Sequence, residues 1–338
     1  MIIDVRSDTF TKPTPAMLQA MYSAVVGDDV FSEDPTVNKL EATIAGIFGM
    51  QAGLFCPSGT MTNQIAIKCH TQPGDEILCE TLSHVYIYEG GGIAFNSGCQ
   101  VKPIDGERGR ITAEQIEQHI NPKFDYKANT SLVAIENTTN RGGGSYYTIE
   151  AIKKIKAVCT QHQLAFHLDG ARLFNALVAS GQKAIEYGIY FDSISICLSK
   201  GLGAPVGSVL LGNTSFIAKA RRIRKVFGGG MRQAGYLAAA GLYALENNID
   251  RLQQDHDNAK KIAAALALKP FVKNILPVDT NILIFEVAEK YTAASFVTYL
   301  ENNNVKAIAI SVNEVRMVTH LDVTNEMIEI LLQIIDAS

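Results

Sequence analysis

The sequence predicts an α/β fold in which a mostly parallel sheet lies between layers of helices. Short apolar runs alternate along the chain with segments whose apolar residues recur at helical spacing, which is the pattern of repeated strand and helix units. The runs are apolar at successive positions, as expected for strands that are covered on both faces. The pattern then changes to a smaller mixed region, so we predict two domains, over residues 1–248 and 249–338.

The first domain opens with an amphipathic helix over residues 37–48, followed by a strand at Ala52–Cys56 that stops at Pro57. A second helix begins at Ser58-Gly59-Thr60. The other predicted strands of this domain are Glu76–Cys79, Leu132–Glu136, Ala165–Asp169, Ser193–Cys197 and Ser208–Leu211. Their number and spacing indicate a single sheet with helical connections.

The second domain follows the small-residue stretch Gly235–Leu245. A helix rich in Asp, Gln and Lys over residues 248–268 leads to Pro270, which cannot continue it. The remaining predicted elements are strands at Ile282–Val287 and Val315–Thr319, and helices at Ala294–Asn302 and Asn325–Ile335. Mixed elements of this kind are typical of a small α+β domain.

Composition narrows the possible functions. The 338 residues are 47% apolar and 19% charged, which is enough for a large core and unlike a disordered chain. The net charge of -4, without runs of like charge, argues against nucleic acid as the main partner. No apolar stretch approaches the roughly 20 residues of a membrane span, and no leader opens the chain, so we expect a cytoplasmic protein. The six irregularly spaced cysteines predict neither a disulfide framework nor a metal site.

Polar residues that directly follow the predicted strands are the candidates for binding, because ligands collect at the carboxyl ends of parallel strands. At Ser58-Gly59-Thr60, hydroxyl groups and free amides at a helix start could hold a phosphate. An ordinary serine N-cap is the alternative.

Two further strands end in charged side chains. Asp169 ends one buried strand, where a carboxylate is costly unless it meets a cation, so it either contacts a cofactor or pairs with Arg172. Lys200 follows the next strand and enters a glycine-rich turn. It is either an amine nucleophile or a lysine that extends to solvent from the sheet edge.

The phosphate cradle at Ser58-Gly59-Thr60, the carboxylate and the lysine together match the three groups by which proteins bind pyridoxal 5'-phosphate. These groups are its phosphate, its ring nitrogen and its aldehyde. The glycines at positions 201, 203 and 207 match neither a dinucleotide fingerprint nor a Walker loop, which excludes a nicotinamide dehydrogenase.

Longer motifs carry a resemblance to a known family. They are Asp4-Val5-Arg6-Ser7-Asp8-Thr9, Gly27-Asp28-Asp29-Val30, Glu33-Asp34-Pro35-Thr36, Pro57-Ser58-Gly59-Thr60-Met61, His167-Leu168-Asp169-Gly170-Ala171-Arg172, Ser199-Lys200-Gly201, Ala204-Pro205-Val206-Gly207-Ser208, Gly228-Gly229-Gly230-Met231-Arg232-Gln233-Ala234-Gly235 and Arg316-Met317-Val318-Thr319-His320. The chain resembles the low-specificity L-threonine aldolases, within the aromatic amino acid beta-eliminating lyases of fold type I. This resemblance implies a PLP-dependent transferase-like fold with a seven-stranded sheet in the large domain, and aldol cleavage of threonine or allo-threonine to glycine and an aldehyde.

The resemblance also implies a role for each matching residue. Lys200 would bind the cofactor aldehyde, Asp169 would pair with the ring nitrogen, and His84 would stack on the ring and is a candidate base. The cofactor phosphate would be held by Ser58, Gly59 and Thr60. The substrate carboxylate would be held by Ser7, Arg172 and Arg316.

Three more residues match family residues that lie at the periphery of the active site. Tyr88 matches a tyrosine near the substrate. Lys225 and Arg232 match residues that reach the active site of a neighbouring subunit, which implies a homotetramer built as a dimer of dimers with active sites at subunit interfaces. The alternative is that Arg221, Arg222, Arg224 and Lys225 form a solvated basic face.

Two departures from the family pattern leave the base for the β-hydroxyl open. Thr139 stands where a histidine is expected, and no histidine occurs near Tyr126. Two other functions also remain: β-elimination or racemisation with the same cofactor, and a ligand-binding or structural oligomer without activity. The presence of Lys200 and Asp169 favours an enzyme.

Overall fold

The computed structural model describes all 338 residues and confirms the α/β architecture. A central sheet of seven strands has, from one edge to the other, the order Ala52–Cys56, Ser208–Gly212, Ser193–Cys197, Ala165–Gly170, Thr130–Glu136, Glu76–Glu80 and Gln100–Ile104. Only Ser208–Gly212 is antiparallel to its neighbours. Its first residue, Ser208, therefore lies at the edge where the other strands end.

The predicted strands of the sheet are confirmed to within two residues. The strand that the sequence did not reveal is Gln100–Ile104, which pairs with Glu76–Glu80 at the edge of the sheet. Only its last residue is buried, and it contains Pro103, so it lacks the apolar run that marks the inner strands.

Helices cover both faces of this sheet. In the first part of the chain they are Pro15–Tyr22, Pro35–Ile47, Gly59–His70, His84–Ile87, Ala113–His119, Ile149–His162, Leu173–Ser180, Ala184–Gly188, Thr214–Val226 and Gly235–Asn247. Forty buried residues, from Met17 to Leu252, form the largest hydrophobic core between these helices and the sheet. The small-residue stretch that follows residue 234 is a helix, whose Gly241 packs against Leu40 and Leu198.

The C-terminal region has its own antiparallel sheet, in the order Ile308–Ala309, Glu314–Val318, Ile282–Val287 and Val272–Ile275. Its helices are Leu252–Leu266, Ala293–Asn302 and Asn325–Asp336. A second core of 19 buried residues lies here. It includes Ile3 and Val5, because the strand Ile3–Asp4 pairs with Val305–Lys306. The division of the chain at residue 248 stays a prediction.

All six cysteines are buried and unpaired. Three of them, Cys56, Cys79 and Cys197, lie in strands of the central sheet, where a thiol packs as a small apolar side chain. Each helix is too short or too polar to cross a bilayer.

Candidate active site

A cavity of about 470 Å³ opens at the carboxyl edge of the central sheet, next to the strands of the C-terminal region. Its lining brings together six residues predicted from the sequence, Ser7, His84, Tyr88, Arg172, Lys200 and Arg316. Their positions in the chain span more than three hundred residues, so the fold alone assembles them. The wall also contains Glu136, Asn140 and Arg141.

Asp169 lies beside this cavity, close to the imidazole of His84. The Nδ1 or Nε2 atom of His84 and the carboxylate oxygens of Asp169 and Glu89 lie within 4.8 Å of one another. The charge of Asp169 raises the pKa of His84 and the charge of Lys200 lowers it, so both groups lie near the imidazole. The amine and the carboxylate that the sequence singled out therefore belong to one site.

His84 begins the short helix His84–Ile87 and is held by a carboxylate from the segment that follows it. Its Nδ1 lies 3.1 Å from Oε1 of Glu89, which is buried. Burial disfavours the charged imidazolium, but the bond to Glu89 and the nearby carboxylates outweigh it and raise the pKa of His84. When Nδ1 is committed to Glu89, the Nε2 atom is left to exchange a proton with a ligand.

Glu136 is a second carboxylate at this edge. Strand register places it directly beside Asp169. The backbone amides of His84 and Asn140 donate to its two oxygens at 3.1 and 2.9 Å. Burial, with the neighbouring charge of Asp169, raises the pKa of Glu136 to about 7. This group can therefore hold a proton near neutral pH.

Arg172 pairs with Asp8 and not with Asp169, so of the two alternatives that the sequence left open for Asp169, the structural pair with Arg172 is not formed. Arg172 donates from Nε and Nη2 to the two oxygens of Asp8 at 2.8 and 2.6 Å. Both side chains are buried. Asp169 instead accepts bonds from the amide of Ala171 and the side chain of Asn63. Its carboxylate is thus not neutralised by a cation of its own.

Arg316 comes from the C-terminal region and lines the same cavity, close to the like charge of Arg172. It donates from Nη1 to Asn140 at 2.9 Å, while its buried Nε has no acceptor. Burial, and then the neighbouring charge of Arg172, lowers the pKa of Arg316 to about 10. Two guanidinium groups thus line the cavity and only Arg172 is paired with a carboxylate of the protein, which leaves Arg316 free to bind a second anion.

Because Asp8 must be ionised to pair with Arg172, we expect the free energy of unfolding of the protein to fall in acid. Arg172 and the other donors hold the pKa of Asp8 at about 2, below its ordinary value of 3.8, although burial acts in the opposite direction. The stabilisation is therefore complete above about pH 4 and is lost as the pH falls through about 2. We expect Asp8→Asn to lower the free energy of unfolding at pH 7 by about 3 kcal/mol, because it leaves Arg172 buried and unpaired.

Urea denaturation of both proteins between pH 7 and pH 2 measures this difference. Asp4→Asn is the control, since Asp4 pairs with Arg6 in a part-exposed position and contributes less than about 1 kcal/mol. Equal losses in the two variants, or a difference that does not shrink in acid, would contradict the assignment.

The candidate phosphate cradle lies at the start of the helix Gly59–His70, outside the lining of the cavity. Ser58 accepts a bond from the amide of Met61, so the predicted N-cap is present. The first amides of the helix have no acceptor within it. The buried Oγ of Ser208 also has no partner, and it lies 3.5 Å from the position that a Cβ on Gly59 would occupy. Free donors therefore converge here, as an anion site requires.

Lys225 and Arg232 do not line the cavity of their own chain. Lys225 is exposed, and Arg232 bonds to Asp28 at 2.8 Å with 56% of its side chain exposed. A uniformly solvated basic face is nevertheless wrong for this helix, since Arg224 is buried, bonded to the carbonyl of Phe55 and paired with Asp29.

Two of the carboxylates at this site were missed in the sequence. Glu136 ends a strand in the same manner as Asp169, so the rule applied to Asp169 identifies it as well. Glu89 precedes a run of three glycines, and only its position beside His84 reveals it.

The two positions that depart from the family pattern are also placed. Thr139 bonds to Ser145 and to the carbonyl of Arg108, away from the cavity lining. Tyr126 is 79% exposed and stacks on Phe124. His84 is therefore the one imidazole in the lining of the cavity.

Known proteins are similar to this chain in sequence and in fold. The sequence profile of the family described as beta-eliminating lyase matches residues 4–290. The low-specificity L-threonine aldolase of Escherichia coli (strain K12) is 44% identical over 328 residues, which are 97% of this chain and 96% of that protein. An Arabidopsis thaliana low-specificity L-threonine aldolase is 41% identical over 95% of this chain and 92% of that protein. The solved Leishmania major threonine aldolase superposes with a TM-score of 0.86 at 20% identity, covering 99% of both chains.

Proposed function

The chain belongs to the beta-eliminating lyases, among the low-specificity L-threonine aldolases, and we propose from this premise how its own residues cleave a β-hydroxy-α-amino acid. The substrate is L-threonine or L-allo-threonine, and the products are glycine and acetaldehyde. The observation that carries the proposal is the single cavity that contains Lys200, His84, Arg172 and Arg316, with Asp169 beside it.

The residues present fit pyridoxal 5'-phosphate. The unpartnered Ser208 hydroxyl and the free amides at the start of the helix Gly59–His70 suit its phosphate, with the Ser58 and Thr60 side chains beside them. Asp169, which has no cation of its own, suits the protonated ring nitrogen, and Lys200 suits the aldehyde. When bound, the cofactor supplies an electron-accepting ring that stabilises the charge left on Cα as the Cα–Cβ bond breaks.

The substrate carboxylate is held by Arg316 and Arg172, with Ser7 and Tyr88 at the wall of the cavity. Arg172 is oriented by Asp8, and the free Nε of Arg316 supplies a donor that lacks an acceptor in the protein. Fixing the carboxylate fixes the orientation of the substrate, which decides which bond at Cα is broken.

His84 is the base that takes the proton of the β-hydroxyl, either directly or through a water molecule. Glu89 holds Nδ1, so Nε2 accepts this proton while the aldehyde forms. The carbon that becomes the methylene of glycine takes up one proton, so the reaction consumes no net proton. Glu136, which lines the same cavity and has a pKa raised to about 7, is a second group that can hold a proton during the cycle.

We expect Arg316→Gln to reduce kcat/KM for threonine by about 10- to 100-fold, mainly through KM, because a charged hydrogen bond to the substrate carboxylate is lost. Steady-state kinetics measure the effect. Arg6→Gln is the control, since the Arg6 side chain pairs with Asp4 outside the cavity. A loss in kcat alone would argue against a carboxylate-binding role.

The proposed assembly is a homotetramer in which Lys225 and Arg232 reach the site of a neighbouring subunit. Both residues lie on a surface that also exposes Phe31 and Val226, large apolar side chains that a partner would cover.

The unpaired cysteines suit a reducing compartment, so we expect the enzyme in the cytoplasm.

An assay of glycine and acetaldehyde formation from L-threonine and L-allo-threonine tests the proposed reaction, beside a pyruvate assay with L-serine. Aldehyde from either threonine isomer, with little pyruvate, is the expected result. Pyruvate as the main product would establish β-elimination in its place. A protein that stays colourless with added cofactor would support the inactive oligomer.

A further inference from the structure

A continuous row of hydrogen-bonded side chains crosses the central sheet, from Asp169 to the opposite edge. Asn63 donates to Asp169 at 2.8 Å, and its Oδ1 lies 3.1 Å from Nε2 of His167. Nδ1 of His167 lies 2.8 Å from the Ser193 hydroxyl, which in turn lies 2.8 Å from Nε2 of His70. His70 lines a separate polar cavity of about 680 Å³ at the amino edge of the sheet.

The row is buried along most of its length. His167 and Ser193 have no exposed surface, and Asn63 is 1% exposed. Polar groups at such depth are costly unless each one is paired, and a set of apolar side chains could fill the same space. The presence of four paired polar side chains between the two edges of the sheet therefore indicates a role other than packing.

We propose that His70, Ser193 and His167 are positioning residues that act through Asn63 to keep the Asp169 carboxylate ionised and oriented toward the ring nitrogen of the cofactor. This inference rests on the proposed function. It adds three residues to the site, none of which lines the cavity or reaches the substrate.

The direction of every bond follows from the charge on Asp169. An ionised carboxylate only accepts, so the amide nitrogen of Asn63 donates to it and, with its second proton, to Glu89 at 2.9 Å. The Asn63 oxygen must then accept from Nε2 of His167, which leaves Nδ1 of His167 to accept from the Ser193 hydroxyl. Ser193 in turn accepts from His70. All donors thus point toward Asp169.

Neutral imidazoles are required for this arrangement, because each must carry one N–H and one lone pair. Burial lowers the pKa of His167 to about 4 and that of His70 to about 3, so both are neutral at physiological pH. Hydrogen bonds aligned in one direction polarise one another. The aligned row therefore stabilises the negative charge on Asp169 more than Asn63 alone would do.

The test uses Ser193→Ala, which removes the hydroxyl between the two imidazoles. Ser195→Ala is the matched control: Ser195 lies two residues along the same strand, is 1% exposed, and bonds through its hydroxyl to Thr62 outside the row. Three quantities are measured for the purified holoenzymes: the dissociation constant for pyridoxal phosphate, the visible absorption spectrum, and kcat with KM.

We expect Ser193→Ala to weaken cofactor binding by about two- to tenfold, to shift the visible absorption band, and to lower kcat without a change in KM. Asn63→Leu should have a larger effect in the same direction. Ser195→Ala should leave all three quantities unchanged. A purely structural role would lower the melting temperature without moving the absorption band.

If Ser193→Ala does not fold, the same three quantities are measured for His70→Phe and test the inference in its place. This variant keeps an aromatic ring to stack on Phe216 but removes the donor at the far end of the row. Unchanged affinity and spectrum in a folded Ser193→Ala, or in His70→Phe, overturn the inference. Failure of the wild-type protein to bind the cofactor is a different result, since it contradicts the proposed function itself.

Discussion

Replacement of Lys200 by alanine should abolish both the yellow colour of the cofactor-loaded protein and the cleavage of threonine. Lys200 is the lysine in the lining of the cavity, so no second amine is placed to hold the cofactor aldehyde. Its position follows the strand Ser193–Cys197, and its carbonyl accepts bonds from Thr11 and from the amide of Gly203, which fix the turn independently of the side chain. The variant should therefore remain folded. Visible spectra and the aldehyde assay measure the two losses.

Lys200→Arg separates charge from nucleophilicity. A guanidinium keeps the positive charge but is never deprotonated in proteins, so this variant should be as inactive as Lys200→Ala. Lys273→Ala is the control, since Lys273 pairs with Glu286 on the surface of the C-terminal sheet and should keep both colour and turnover. A Lys200 variant that retained both properties would remove the nucleophile from the proposal.

Asp169→Asn should reduce kcat by about 100- to 1,000-fold, an effect typical of losing one preorganised electrostatic contact in an active site. The amide keeps the shape of the carboxylate, so the amide of Ala171 retains an acceptor. It loses the negative charge, and its NH2 group would face the NH2 group of Asn63. Asn63 would have to turn over, which breaks its bonds to His167 and Glu89.

The control for this substitution is Asp192→Asn. Asp192 lies at the amino edge of the same sheet, where it accepts from the amide of Phe166 and pairs with Lys156. Its replacement should leave kcat unchanged. Stopped-flow or steady-state rates, together with the absorption spectrum of each holoenzyme, measure the contrast. Comparable rates in Asp169→Asn and the wild type would show that this carboxylate does not assist the ring.

Most of the sheet could be predicted from the sequence, because its inner strands are buried on both faces and are apolar at nearly every position. The same reasoning placed Asp169 and Lys200, since a polar residue after such a run must lie at the carboxyl edge. The three predicted strand ends are not all adjacent, however. Ser208–Gly212 lies between Ala52–Cys56 and Ser193–Cys197, and nothing local to these segments dictates that order.

The sequence by itself thus determined the alternation of strands and helices and the chemical groups available at the strand ends, because both depend on neighbouring residues. The tertiary structure decided which groups pair. Arg172 meets Asp8 across 164 residues, and Asn63 meets Asp169 across 106. Such contacts are made by segments that only the folded core brings together. A buried charge selects whichever partner the packing places within hydrogen-bond distance, so Arg172 bonds to Asp8 although Asp169 is its near neighbour in the chain.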